Sequence, residues 1–144
     1  MKISFHPVIL LVSVFLQLIL LFTFPVSTDL SSLLGLIFLL AGVFLVFFSF
    51  RFMRKMETTF IPDGTPKKLI SSGPFKISRN PIYLGMFLVL FGIAFLMSSL
   101  SAAIIAIVFG LIINFTWIAH EEKKLNELFS EDWKNYSSKV RRWI

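Results

Sequence analysis

Residues 76–96 read KISRNPIYLGMFLVLFGIAFL, and the change within this stretch decides the class of the molecule. Before Pro81 lie a Lys, an Arg, a Ser and an Asn; after it no charged side chain appears for the rest of the run. Such a run reads as a helix entering hydrocarbon, with Arg79, Asn80 and Tyr83 placed at its mouth, where lipid offers them no partner. The rest of the chain supports that solvent. It has 144 residues, 56% of them hydrophobic, 18 Phe and a mean hydropathy of +0.84, against the roughly 45–50% apolar content of a soluble domain. With no Cys and only His6 and His120, neither a disulfide framework nor a zinc cage is expected.

Outward from this stretch the same solvent recurs. Val8 to Phe24 is apolar except for Ser13, Gln17 and Thr23, and counting from Ile3 it reaches the roughly 20 residues a crossing needs. No clear small-x-small cleavage site follows it, so it reads as a span and not as a signal peptide. Leu33 to Phe50, Ile82 to Leu96 and Ala102 to Ala119 supply three more spans, the last two joined by the tight MSSLS hairpin (residues 97–101). The expected fold is therefore all-α: a bundle of four transmembrane helices with a folded loop and an amphipathic C-terminal helix. The 14 Lys and Arg fall before the first span, between the second and third, or after the fourth, and the opposite loops carry only Asp29. The positive-inside rule then puts both termini and the long loop in the cytoplasm. That placement accounts for the net charge of +6 without nucleic acid, and leaves anionic headgroups as partners.

Small residues mark the expected packing seams. Gly35, Gly42 and Ser49 recur every seven residues in the second span, and Gly85, Gly92 and Ser99 repeat the spacing in and after the third. In the fourth, Ala102, Ala106, Gly110 and Asn114 step by four, and the same face continues to Trp117 and Glu121. Asn114, an amide in hydrocarbon, needs a partner on a neighbouring helix or at the upper end of a pocket.

The chain divides at residue 56 into two N-terminal helices (1–55) and a core of loop (56–81), helical hairpin (82–119) and cytoplasmic helix with tail (120–144). Ionisable groups concentrate in residues 51–80 and 119–144, so function should lie where those segments meet. The loop holds the turn-forming PDGTP (residues 62–66) and KKLISSGPF (residues 67–75), and its Phe60, Ile61, Leu69, Ile70, Phe75 and Ile77 argue for order. HEEKKLNELF (residues 120–129) reads as an amphipathic helix with Leu125, Leu128 and Phe129 on one face. Trp133, Tyr136 and Trp143 with Lys139, Arg141 and Arg142 read as an interfacial aromatic and basic tail. Of the adjacent acids Glu121 and Glu122, which point about 100° apart on a helix, one is expected to face the bundle and the other water.

The ordered pair of motifs LIxSGPFxxSRNPIYLG (residues 69–85) and EExxLxxxFxxxWxxY (residues 121–136), closed by VRRW, resembles the isoprenylcysteine carboxyl methyltransferase family and related membrane phospholipid methyltransferases. In that family the usual forms are GPY, RHPxYxG and, later, EE with FGxxYxxY. Here Phe75, Asn80, Ser130 and Trp133 stand for Tyr, His, Gly and Tyr, and the Arg that often precedes the acid pair is missing from TWIAH (residues 116–120). The resemblance implies an S-adenosylmethionine-dependent methyltransferase that opens toward the membrane for a lipophilic acceptor, an isoprenylcysteine-like carboxylate or thiol or a phospholipid amine, and that uses no metal. It implies cofactor contacts at Leu69, Ile70, Gly73, Asn80, Pro81, Tyr83, Glu121 and Glu122, to which the chemistry of the residue types adds Lys68 and Phe75. The catalytic candidates are Glu121, Arg79 and Tyr83, with Asn114 and Trp117 toward the acceptor.

The chemistry of these residue types agrees with that reading. The cofactor's carboxylate wants Arg79, Lys67 or Lys68; its ammonium or ribose wants Glu121; its adenine or sulfonium suits the rings of Phe75 and Tyr83. Backbone beside Gly73 is expected to approach it closely. Two other readings share the architecture. A nicotinamide-dependent membrane reductase is disfavoured by the shortness of the chain; the other is a small four-helix transporter or a non-catalytic scaffold, and a transporter needs an acid in the first span, where only Gln17 stands.

Overall fold

The computed structural model describes residues 5–24, 26, 31–56, 66 and 68–144. Pro25, Asp29, Phe60, Ile61, Lys67 and residues 62–65 of the PDGTP turn lie outside them. The described chain is helical: α1 (Phe5–Thr23), α2 (Ser32–Lys55), α3 (Pro81–Leu96), α4 (Leu100–Ile113) and α5 (Ala119–Lys139). A short 3₁₀ turn, Gly73–Lys76, precedes α3, and a π-helical turn, Asn114–Ile118, joins α4 to α5 without a break. Pro81 is the first residue of α3, where its missing N–H leaves no helical bond unmade. Ser31 caps α2 by accepting from Leu34 N, and Arg54 and Lys55 occupy its last turn, where cations suit the helix dipole.

Two of these helical stretches are long and apolar enough to cross a membrane, Ser32–Lys55 and the run Leu100–Lys139; the apolar parts of α1 and α3, Pro7–Thr23 and Pro81–Leu96, are shorter. Leu11, Phe15, Leu40, Phe44 and Phe47 stand exposed on α1 and α2. Nothing drives such faces together in lipid, so the helices must associate through close backbone approach and internal hydrogen bonds.

Both devices are present. The most extensive interface joins α2 to α3, and here the two glycine rows meet. A Cβ placed on Gly42 would lie 2.6 Å from Gly85 O, and one on Gly92 would lie 2.6 Å from Leu39 N. Phe38 packs edge-on against Phe91 and Phe95 beside this contact. Ser99, expected to extend the row, does not: α3 stops at Leu96, Ser98 turns with φ +46°, and Ser99 caps α4 by accepting from Ala102 N. On the other side α1 packs on α4 and α3. Gln17, fully buried, donates from Nε2 to Leu90 O (3.0 Å) and Ala102 O (2.9 Å), so one amide ties three helices. Leu90, Phe109 and Ile113 form the centre of the core behind it.

At the opposite end α5 departs from one straight amphipathic helix. Ser130 adopts φ +32°, a kink that turns the second half of α5 back onto the loop. Trp133 and Tyr136 are thereby buried, which corrects their reading as interfacial anchors. This is the position at which the related pattern has Gly, and a left-handed φ costs a side chain about 1–2 kcal/mol.

These contacts make two expectations for thermal unfolding in detergent. Gly42→Val, which drives a branched side chain into the Gly85 carbonyl, should lower stability by about 3 kcal/mol or more. Gly110→Ala should stay within about 1 kcal/mol of wild type, because its Cβ would meet only the movable Phe87 ring, at 3.2 Å; equal losses in both would contradict the seam. Ser130→Gly should raise stability by about 1 kcal/mol, and a loss there would contradict the strain assigned to the kink.

Candidate active site

The residues preceding α3, the start of α5 and the extended tail after Val140 converge on one carboxylate. Glu122 faces Arg79 Nη2 at 3.0 Å and accepts from Arg142 Nη2. The side chains of Glu122 and Arg79 are only 13% and 15% exposed, that of Arg142 34%. Arg79 further donates to Ser137 O (3.1 Å) and lies 5.5 Å over the Trp133 ring, which spreads its charge over an aromatic face. Arg142 also donates to Asn114 Oδ1 (3.2 Å), and Trp143 Nε1 donates to the same oxygen (3.1 Å). Asn114 therefore has its partner, but in the C-terminal tail and not in a neighbouring transmembrane helix.

The tail is bound through its backbone too. Arg79 N donates to Arg141 O (3.0 Å), while Ser78 Oγ (3.2 Å) and Asn80 Nδ2 (3.1 Å) both donate to Arg142 O. Its amide nitrogen is thereby committed to that carbonyl, and Oδ1 is the acceptor of the side chain. Tyr83, one turn into α3, donates to Glu121 Oε1 at 2.8 Å. Glu121 and Glu122 are thus both engaged, and the expectation that one faces water fails.

The π-helical turn explains which acid goes where. In a regular α-helix Glu121, seven residues on, falls within about 20° of Asn114, and Glu122 about 80° away. A π turn absorbs one extra residue. That moves Glu122 onto the Asn114 line, where Arg142 reaches both, and swings Glu121 toward Tyr83.

A cleft of about 560 Å³ opens beside this network between the loop and the kinked half of α5. Leu69 and Lys76 line it from the loop, and Asp132, Asn135, Tyr136 and Lys139 from the helix. Tyr136 closes its floor by donating to Phe75 O at 2.7 Å.

The family model for phospholipid methyltransferases matches residues 30–132, from the start of α2 through the Ser130 kink. The chain belongs to the phospholipid methyltransferase family. No curated protein and no solved structure matches it. Membership in that family makes it a membrane methyltransferase, and gives the two groups of residues one context. Tyr83, Asn80, Pro81, Glu121 and Glu122 come together at the helix mouth, while Leu69 lines the cleft.

Other expectations change. Lys68 is exposed, and Ile70 is buried. Gly73 has φ +59°, but its bare side is taken by the Phe52 ring, 2.6 Å from where a Cβ would sit, so it is not the close approach to a ligand that was expected. Arg79, expected to pair a ligand carboxylate, is consumed by Glu122 and Ser137 O. Trp117 packs against the core cluster. Sequence reasoning missed Lys76, Asp132 and Asn135 in the cleft, and Ser78 and Arg142 in the network; the closing VRRW was the one available signal for the last. Among the described residues no three His, Asp or Glu converge as metal ligands would.

Burial pushes the Tyr136 hydroxyl up to about 12 from its ordinary 10.0, with the Arg79 charge opposing and Glu122 adding. The folded state therefore favours the neutral hydroxyl that donates to Phe75 O, and this stabilisation is complete below pH 10 and lost as pH rises toward about 12. Thermal unfolding should accordingly fall more steeply across that window in wild type than in Tyr136→Phe, and parallel curves would contradict the docking assigned to this hydroxyl.

Proposed function

We propose that the protein transfers a methyl group from S-adenosylmethionine to a lipophilic amine, and that the pairing of Tyr83 with Glu121 at the mouth of α3 carries this reading. The cleft has the size of a small-molecule site. Its lining suits a zwitterionic nucleoside: Leu69 and the Tyr136 ring for the adenine, Lys76 and Lys139 for the carboxylate, Asp132 and Asn135 for the ammonium and the ribose hydroxyls. Lys68, Ile70, Gly73 and Phe75 then act by shaping the loop that carries Leu69 and Lys76. Asn80 offers its Oδ1 as an acceptor, and, unlike the His of the related pattern, does not titrate near neutral pH.

When bound, S-adenosylmethionine supplies a methyl group made electrophilic by its sulfonium, so transfer is an in-line displacement needing position more than acid–base power. Glu121, oriented by the Tyr83 hydroxyl, binds the acceptor amine and takes its proton as the new bond forms. Arg79 and Glu122 hold the walls of the site and touch neither reactant. Pro81 places Asn80 and Tyr83 on consecutive turns of the entrance, and Asn114 and Trp117 lie toward the membrane, on the acceptor's side.

The same reading sets the topology. Four spans, with both termini and the loop in the cytoplasm, bring the site to the side where the cofactor and the cytoplasmic leaflet meet. A transporter reading loses its support because Gln17 serves as a tie between three helices.

The test is methyl transfer from labelled S-adenosylmethionine to an extract of amine-bearing phospholipids, with S-adenosylhomocysteine binding measured by calorimetry. Glu121→Gln should lower turnover about 100-fold or more, and Tyr83→Phe about 10-fold through loss of orientation, with the fold retained in both. Full activity in both variants, or no binding of S-adenosylhomocysteine by the wild type, would overturn the reading.

A further inference from the structure

Arg142 touches both walls of the site. Its guanidinium reaches Asn114 and Glu122, just after α4 and in the first turn of α5, and its carbonyl receives Ser78 Oγ and Asn80 Nδ2 from the residues that open α3. Neighbouring tail residues repeat the pattern on either side: Arg141 O accepts from Arg79 N, and the Trp143 indole donates to Asn114 while its ring packs 6.3 Å from that of Phe87. Asn80 is thus on one wall and Glu121, adjacent to Glu122, on the other; Arg79 with Glu122 and Tyr83 with Glu121 join the walls directly, and Arg142 adds a tie from the tail that grips both.

We infer that Arg142 is a positioning residue: it staples the Asn80 wall to the Glu121 wall beside the direct Arg79–Glu122 and Tyr83–Glu121 contacts, holds their separation, and fixes the Asn80 amide in place. The inference rests on the methyltransferase reading only for what the walls hold. A planar guanidinium is suited to the part, because its fork engages the Glu122 carboxylate and the Asn114 amide oxygen at the same time. A Lys would keep the charge and lose the fork. The staple also explains how Glu122 is tolerated with so little exposure, since it is matched by two cations and not one. The surplus positive charge points to Arg142, the more exposed of the two, as the partner able to leave without stranding the carboxylate.

The sequence has no Cys, so two introduced thiols report wall separation cleanly. Ile77→Cys and Lys123→Cys are exposed positions, one before α3 and one on the first turns of α5. Spin labels on both, read by pulsed electron resonance in detergent, should give one narrow distance in the otherwise wild-type protein and a broadened, longer distribution in Arg142→Ala, with Arg142→Lys between them. An unchanged distribution in Arg142→Ala overturns the inference whatever the protein catalyses. Binding of S-adenosylhomocysteine supplies the second readout. Arg142→Ala and Glu122→Gln should each weaken it about 10-fold or more, and the double variant should be no weaker than the worse single, because Arg142 acts through Glu122. Additive losses overturn the inference while leaving the methyltransferase reading intact; absence of binding in the wild type with an intact distance response sinks that reading and leaves the staple. Should Arg142→Ala fail to fold, the intermediate distance and binding expected of Arg142→Lys decide the matter, and wild-type values there would refute it.

Discussion

A nearly buried carboxylate held between two arginines governs the polar end of this protein. Glu122 cannot be taken from water without partners, because the desolvation of an isolated charge costs several kcal/mol. Its partners come from far apart in sequence: Arg79 just before α3 and Arg142 at the end of the chain. Meeting that one requirement brings the loop, α5 and the tail together. The remaining polar groups follow, with Asn114 taking the tail's donors and Ser78 and Asn80 taking its carbonyl. Such a network is cooperative in the sense that each polar group is held by a partner which another member of the network holds in turn.

The membrane end solves a different problem with different means. Side chains facing lipid gain nothing by facing each other instead, so α2 and α3 are joined by backbone contact across Gly35, Gly42, Gly85 and Gly92. Gln17 adds two hydrogen bonds where no water competes. This part of the fold is a frame for the site: α3 is fixed along its length, and its first turn carries Tyr83 to Glu121. Membership in the phospholipid methyltransferase family covers both ends, from the start of α2 to the kinked helix.

The helices were legible because their signals are local. Long charge-free runs, Pro81 at a helix start and glycines repeating every seven residues all act within a few turns, and the α2–α3 contact lies where the two rows predicted it. The reading went astray where one residue shifts the register. Nothing in NFTWI (residues 114–118) announces a π-helical turn, and without it Glu121, not Glu122, appears on the Asn114 line. Ser99 was assigned to a seam by spacing alone, although the chain had already turned at Ser98. Trp133 and Tyr136 were read as interfacial anchors because an aromatic residue near Lys and Arg has that meaning when its helix is straight; the kink at Ser130 gives them another.

Taken alone, the sequence determined the solvent, the helical class, the clustering of charge at one end and the pair of motifs that mark the family, since each depends on composition or on short-range periodicity. Only the tertiary structure decided which charged groups pair, that Arg79 is committed to Glu122, that Gly73 faces Phe52, and that the last residues close the site. Those outcomes depend on contacts between segments distant in sequence, from Gly73 with Phe52 to Ser78 with Arg142, 64 residues apart. Their energies come from matching buried charge and hydrogen bonds in three dimensions, which no local pattern encodes.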